Sequence, residues 1–176
     1  MNPKRMTRYG LTVLMIFTIF ISSGSLFPAS STKKKSKIDR IVVIKHRRQL
    51  IVYSKGIPLK TYRIALGKQP LGKKRFEGDM KTPEGTYYID SKNPNSQYHK
   101  NLGISYPNRE DQANARNHGR SAGGQIKIHG LKNGREFWGR LHRLFDWTRG
   151  CIAVTNEEID ELYQTVPIGT LIEIRK

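Results

Sequence analysis

The amino-acid sequence predicts a mainly β protein with one clear helix and one or two short helical turns. Short runs rich in β-branched and aromatic residues recur from residue 41 to residue 174, separated by turns rich in glycine, proline and asparagine. A single run, which begins after Thr155, combines a helix start signal with the helical spacing of apolar residues. These two observations favour a sheet-based core against which one helix packs.

The first half of the chain supplies four of the predicted strands. They lie at residues 41–44, 49–53, 59–66 and 86–90. A turn separates the first two strands, and a loop rich in glycine and lysine follows the third. The fourth strand leaves a tight turn, because Pro83 fixes its own φ and Gly85 can adopt a positive φ.

The middle of the chain is polar and irregular. Residues 91–124 contain prolines and many asparagines, so we expect part of a lid or wall beside a cleft, with a short helix at 108–117. A strand is predicted at 125–129. Five apolar residues then recur with helical spacing, which predicts one or two helical turns packed on the core over 136–145: Phe137, Trp138, Leu141, Leu144 and Phe145.

The C-terminal region alternates strand, helix and strand. Ile152 and Val154 follow the cysteine with strand periodicity. Thr155 and Glu158 form a capping box that begins the clear helix. A buried stripe is predicted on that helix at Ile159, Leu162, Tyr163 and Val166, and a last strand at 171–174.

Residues 1–29 are predicted to be a signal peptide or signal anchor. Three basic residues precede an almost wholly apolar run at 11–21 and a group of small residues. The run is short for a stable membrane span, so cleaved and anchored forms are both open. Residues 30–37 form a predicted basic linker, and 38–176 one exported domain, in the periplasm or extracytoplasmic wall, with membrane contact only through the first segment.

The charge predicts a polyanionic neighbour. The net charge is +18, and the part of the chain after residue 29 keeps +15. Nucleic acid, anionic lipid and an acidic wall polymer all fit that balance, but predicted export argues against nucleic acid. We expect a monomer.

Cys151 is the only cysteine, so it cannot form an intrachain disulfide. It pairs between chains, is buried and inert, or is a working thiol. A working thiol needs a base, and His129 lies on a predicted strand face opposite Ile126 and Ile128. The N–H groups of Gly150 and Cys151 are the natural oxyanion donors. No cluster has metal-ligand spacing, and thiol acyl transfer needs no cofactor.

Three ordered motifs resemble the L,D-transpeptidase catalytic domain family, also called YkuD-like. The first pairs Ile-His-Gly at 128–130 with Thr-x-Gly-Cys-Ile-x-Val-x-Asn at 148–156, within a Trp-Thr-x-Gly-Cys sequence. The others are the Thr-Pro-x-Gly turn at 82–85 and the Val-Pro-Ile-Gly-Thr ending at 166–170. The resemblance runs from about residue 38 to residue 176.

The resemblance implies a β-sandwich and assigns roles to five positions. Cys151 would be the nucleophile, His129 the catalytic histidine, and the Gly130 carbonyl its orienting group. Thr148 would match the family's hydroxyl residue and is a candidate for substrate binding, and Gly150 would match its oxyanion glycine. Family enzymes acylate on the third residue of a peptidoglycan tetrapeptide stem, release D-alanine, and pass the acyl group to a neighbouring stem to form a 3→3 cross-link.

Two departures concern substrate choice. Arg149 stands where the family often has histidine, and Ala153 where it often has arginine. Arg149 could bind a stem carboxylate or be a surface arginine, and His142 is a candidate for substrate binding. Three alternatives are open: a hydrolase that resolves the same acyl-enzyme with water, an enzyme acting on a wall-linked lipoprotein, and a wall-binding module without catalysis.

Overall fold

A computed structural model describes residues 37–176, and the predicted signal segment and residues 30–36 of the predicted linker lie outside these residues. Eight strands are present: β1 Arg40–Ile44, β2 Gln49–Ser54, β3 Ile57–Arg63, β4 Gly85–Ser96, β5 His99–Ile104, β6 Lys127–His129, β7 Ile152–Ala153 and β8 Leu171–Arg175. Two α-helices join them, α1 Arg109–Asn117 and α2 Asn156–Thr165. The 3-10 turns lie at Lys45–Arg47 and Glu136–Leu144.

The strands are hydrogen-bonded in the order β3-β2-β1-β8-β4-β5-β6-β7. Strand β4 belongs to both halves of this order, because it pairs with β8 through its first residues and with β5 through its later ones. The pairs β1–β8 and β6–β7 are parallel, whereas the other neighbours are antiparallel. The mainly β prediction is therefore confirmed.

One hydrophobic core joins both halves of the strand order. It includes alternate residues of the strands, such as Ile41 and Val43 of β1 and Ile172 and Ile174 of β8. Helix α2 packs on the same core. Its capping box at Thr155 and Glu158 and its buried stripe are confirmed, with Tyr163 only partly buried.

The prediction that residues 91–124 are mainly irregular is wrong. Strand β4 continues to Ser96, β5 follows after a short turn, and the predicted short helix is present as α1. The polar residues of β4 in this region are exposed or half-buried, whereas Asn101 of β5 is buried beside its β6 partner His129. Composition alone did not reveal that pairing.

The prediction that residues 136–145 pack on the core is also wrong. The segment is a 3-10 turn whose backbone breaks at Gly139, and its five large apolar side chains are exposed. His142 is the buried residue of the turn. No helix within residues 37–176 has the length and apolarity needed to cross a membrane.

Candidate active site

The reacting groups predicted from the sequence lie on two neighbouring parallel strands and at the start of one of them, with His129 in β6 and Cys151 directly before β7. In β6 and β7, Ile128 pairs with Ile152 and His129 with Ala153, and both isoleucines are buried in the core. Because side chains alternate along a strand, His129 and Cys151 project to the opposite face from those isoleucines. Both line one cavity of about 510 Å³.

Hydrogen bonding fixes the tautomer of His129. Its Nδ1 lies 2.7 Å from the carbonyl oxygen of Gly130, which can only accept, so Nδ1 carries the proton and Nε2 keeps a free lone pair. The hydrogen bond from Nδ1 to the Gly130 carbonyl is the contact that the predicted orienting role requires. Burial lowers the pKa of His129 to about 4, so the imidazole is neutral at pH 7 and can accept a proton.

Gly130 is required by the close approach of α2. A Cβ at this position would lie 2.6 Å from Oδ1 of Asn156. That oxygen accepts a hydrogen bond of 2.8 Å from the N–H of Leu131, so the start of α2 holds the chain directly after the histidine. Asn156 is therefore a positioning residue for the Gly130 carbonyl, and it acts through the backbone.

The thiol of Cys151 is partly shielded from solvent. It donates to the carbonyl oxygen of Gln125 at 3.5 Å. Burial raises the pKa of the thiol, whereas a hydrogen bond from the backbone N–H of Lys127 acts in the opposite direction. With the low pKa of His129, this indicates a neutral thiol and a neutral imidazole in one cavity at pH 7.

The turn before the cysteine is held by one hydroxyl. Thr148 Oγ1 accepts from the N–H of Gly150 at 3.1 Å and donates to the carbonyl of Cys151 at 2.7 Å. Gly150 has φ 128°, and a Cβ there would lie 2.6 Å from the carbonyl oxygen of Lys81. The turn therefore depends on glycine at this position.

This hydrogen bond competes with the predicted role of Gly150. Its N–H was expected to be an oxyanion donor, but it is already directed to the Thr148 hydroxyl. The role of this glycine in the structure is the turn conformation. Of the two N–H groups predicted as oxyanion donors, that of Cys151 remains the candidate.

Of the three predicted substrate-binding residues, Thr148 lies in the turn before the cysteine, and the other two have different positions. Arg149 is exposed and lines both the cavity of His129 and a neighbouring cavity of about 440 Å³ that also reaches Cys151. His142 is buried and lines a separate cavity of about 320 Å³. Its Nδ1 accepts from Trp147 Nε1 at 3.3 Å, so Trp147 lies between His142 and the reacting pair.

Sequence reasoning missed Tyr98 and the hydrogen bond from the backbone N–H of Lys127, which partly offsets the rise that burial causes in the pKa of the Cys151 thiol. The Tyr98 ring packs on the His129 ring with centroids 4.6 Å apart and stacks with Trp147 at 6.1 Å. Tyr98 lies in the turn between β4 and β5, within the segment predicted as a lid or wall. That segment does supply a wall of the cavity, including Asn93, Asn95, Ser96, Gln97, Tyr98 and Asn101.

The charges around the site favour an anionic ligand. The cavity shared by His129 and Cys151 is lined by Lys68, Lys127 and Arg149 and by no acidic residue. Within residues 37–176, no group of three or more His, Cys, Asp or Glu side chains could hold a metal ion.

Comparison with known proteins gives a family match over most of the chain. The family described as "L,D-transpeptidase catalytic domain" (YkuD) matches residues 38–174. The Escherichia coli K12 protein named "Putative L,D-transpeptidase YafK" is 33% identical over 161 residues, which cover 86% of this chain and 57% of that protein. The chain thus spans little more than half the length of the curated relatives it matches.

Two solved structures share the fold. The helical cell shape determining protein Pgp2 from Campylobacter jejuni is 25% identical, with a TM-score of 0.59 over 80% of this chain and 49% of Pgp2. Bd1075 from Bdellovibrio bacteriovorus is 25% identical, with a TM-score of 0.55 over 82% of this chain and 49% of Bd1075.

Proposed function

Because the chain belongs to the L,D-transpeptidase catalytic domain family, we propose that it is an exported cysteine acyltransferase of peptidoglycan stem peptides. The observation that carries this proposal is that His129 of β6 and Cys151, directly before the parallel strand β7, line one cavity, with Nε2 of the imidazole free to accept a proton. The basic, acid-free wall of that cavity supports a substrate that carries carboxylates.

The proposed first half-reaction forms a thioester. Nε2 of His129 takes the thiol proton as Sγ of Cys151 attacks the carbonyl carbon of the third stem residue. The N–H of Cys151 is directed to the developing oxyanion. The imidazolium then gives its proton to the amine of the terminal D-alanine, the amide bond breaks, and D-alanine leaves.

The proposed second half-reaction transfers the acyl group to an amine. The amine of a neighbouring stem attacks the thioester carbon and gives its proton to His129, which returns it to the departing sulfur. Two cavities meet at Cys151, one of about 510 Å³ on the His129 side and one of about 440 Å³ beyond Arg149. Separate spaces beside one sulfur support a reaction with separate donor and acceptor chains.

The test is product analysis with purified tetrapeptide muropeptides, by mass spectrometry, for the protein and for Cys151→Ala and His129→Ala. Transpeptidation predicts a cross-linked dimer that has lost one D-alanine, absent in both variants. Tripeptide and free D-alanine without dimer would instead assign a carboxypeptidase. Binding of wall polymer without any product, unaffected by Cys151→Ala, would assign a non-enzymatic module.

The location is part of the proposal and rests on the N-terminal sequence pattern. We propose that the domain acts outside the cytoplasmic membrane, where peptidoglycan is assembled. A fusion of alkaline phosphatase to the C-terminus should be active in cells and should lose activity when residues 4–21 are deleted. Activity that survives the deletion would contradict export through this segment.

A further inference from the structure

The segment between the two catalytic strands carries an exposed apolar surface. Ten large hydrophobic side chains are exposed within residues 37–176, and half of them fall between residues 137 and 145. Phe137 is 78% exposed and Leu144 76%. We name this surface the apolar ridge, and it consists of Phe137, Trp138, Leu141, Leu144 and Phe145. Clustered exposed apolar side chains mark an interaction surface.

The backbone explains why the ridge faces outward. Gly139 adopts φ 42° and ψ −124°, which breaks the 3-10 turn into two parts. The rings of Phe137 and Trp138 lie 5.8 Å apart, and those of Trp138 and Phe145 6.2 Å apart, so the aromatic residues pack on one another. With three residues in each 3-10 turn, Leu141 and Leu144 project to the same side.

The ridge has a cationic border. Lys132, Arg135 and Arg140 are exposed around it, whereas Glu136 is the one exposed acidic residue between positions 131 and 145. Arg143 is paired with Glu158 of α2 and is not part of this border. The surface thus combines exposed aromatic and leucine side chains with an excess of positive charge.

We propose that the apolar ridge docks the domain on the surface of an anionic lipid bilayer. Aromatic and leucine side chains with lysine and arginine beside them are the composition of interfacial membrane-binding segments. The apolar side chains would enter the boundary between headgroups and acyl chains, and the cationic border would contact lipid phosphates. A second copy of the ridge would bring like charges together, so charge complementarity favours lipid over self-association.

Docking would also orient the active site. Trp138 and Phe145 line the cavity of about 320 Å³, and Tyr98 and Trp147 line both that cavity and the one that holds Cys151. A docked ridge would therefore hold the mouth of the catalytic cleft beside the bilayer. This inference goes beyond the proposed acyl transfer and does not depend on it.

The test measures the insertion of Trp138 itself, so that it works on the full chain whether or not the N-terminal segment binds lipid. Full-length protein is mixed with vesicles of phosphatidylcholine and phosphatidylglycerol whose acyl chains carry bromine, which quenches tryptophan on contact. The signal of Trp138 is the difference between the protein and Trp138→Tyr. We expect strong quenching that falls at least about threefold on vesicles of phosphatidylcholine alone.

Two triple variants separate the ridge from general hydrophobicity. Phe137→Ser, Leu144→Ser and Phe145→Ser together should abolish the quenching of Trp138. The matched control replaces three exposed apolar residues elsewhere, Ile57→Ser, Leu59→Ser and Ile168→Ser, and should leave it unchanged. If the ridge triple variant loses its near-ultraviolet circular dichroism, Phe137→Ser alone takes its place, because that ring is largely exposed already.

Four results would overturn the proposal. The first is equal quenching on anionic and neutral vesicles, and the second is quenching that the ridge variant retains. The third is association of the protein with itself in sedimentation without lipid, lost in the ridge variant, which would assign the ridge to a second copy. Charge reversal by Lys132→Glu and Arg135→Glu should weaken quenching, and no effect would likewise contradict the lipid assignment.

Discussion

The chain between Lys127 and Ala153 contains two regions built on different principles. Strands β6 and β7 pair through a ladder of backbone hydrogen bonds that includes His129 and begins directly after Cys151, and every second side chain enters the core. The 3-10 segment Glu136–Leu144 in the connection between them belongs to no strand of this sheet, and with Phe145 it exposes the apolar ridge. Strand pairing therefore fixes which face a residue occupies, whereas a segment outside the sheet can place the same kinds of residue on the surface.

The largest expected effect of a substitution is at the nucleophile, Cys151. Cys151→Ala should lower turnover at least about 1,000-fold, because the step that forms the thioester is lost. The thermal midpoint should hardly change, because the side chain is small and the strands do not depend on the sulfur. Steady-state turnover and circular dichroism give the two values. Activity within tenfold of the unchanged protein would exclude covalent catalysis by this residue.

The buried histidine should make stability depend on pH. Its pKa is about 4 in the folded protein and near 6.5 when unfolded, so between these values the unfolded chain binds the extra proton. Stability from His129 is thus present above pH 6.5 and lost as the pH falls to 4. The free energy of unfolding should fall by roughly 3 kcal/mol more in the protein than in His129→Gln over this range.

Urea unfolding at pH 7.5 and pH 4.5 measures this difference. His142, whose pKa burial also lowers to about 4, contributes in the same direction but is present in both proteins and cancels. Identical pH dependence in the two proteins would contradict a neutral, buried His129.

The hydroxyl of Thr148 should matter for both turn and rate. Thr148→Val leaves the Gly150 N–H and the Cys151 carbonyl without their partner, which should cost about 1–3 kcal/mol of stability. Turnover should fall roughly 10- to 100-fold, since the nucleophile loses its position. Thr148→Ser keeps the hydroxyl and should retain most of the stability and most of the turnover. Equal loss in the serine and valine variants would assign Thr148 to packing alone.

The smallest effect is expected in the ridge. Phe137→Ser with Leu144→Ser should leave turnover of soluble muropeptides within about twofold. Both side chains are exposed and make few packing contacts, so replacing them should change the stability of the fold little. The same kinetic assay measures it. A tenfold loss would show that the ridge acts on soluble substrate, and the separation between the strands and their connection would then fail.

Sequence reasoning succeeded where the information is local. Alternation placed Ile126 and Ile128 in the core and His129 on the other face, and the capping box located the start of α2. The hydrogen bond between His129 Nδ1 and the Gly130 carbonyl joins two neighbouring residues, so it is local as well. Local spacing is sufficient in these cases because a strand or a helix end fixes its own geometry.

It failed where the deciding contact comes from elsewhere in the chain. Tyr98 contacts His129 because β5 pairs with β6, and no local sequence pattern indicates that pairing. The backbone of Gly150 lies close to the carbonyl of Lys81, a residue 69 positions earlier, and this contact requires glycine in the turn. The residues of the ridge have helical spacing, which led to the prediction that they pack on the core. Gly139 breaks the 3-10 turn, and the five ridge side chains stay exposed.

Cys151 is proposed to form a thioester with a stem peptide. The most direct measurement is intact-protein mass spectrometry of samples quenched in acid milliseconds after mixing with tetrapeptide muropeptide, with no acceptor in excess. We expect an adduct of the muropeptide minus D-alanine, located on Cys151 by peptide mapping and absent from Cys151→Ala. Product formation without any adduct, or the same adduct in Cys151→Ala, would contradict it.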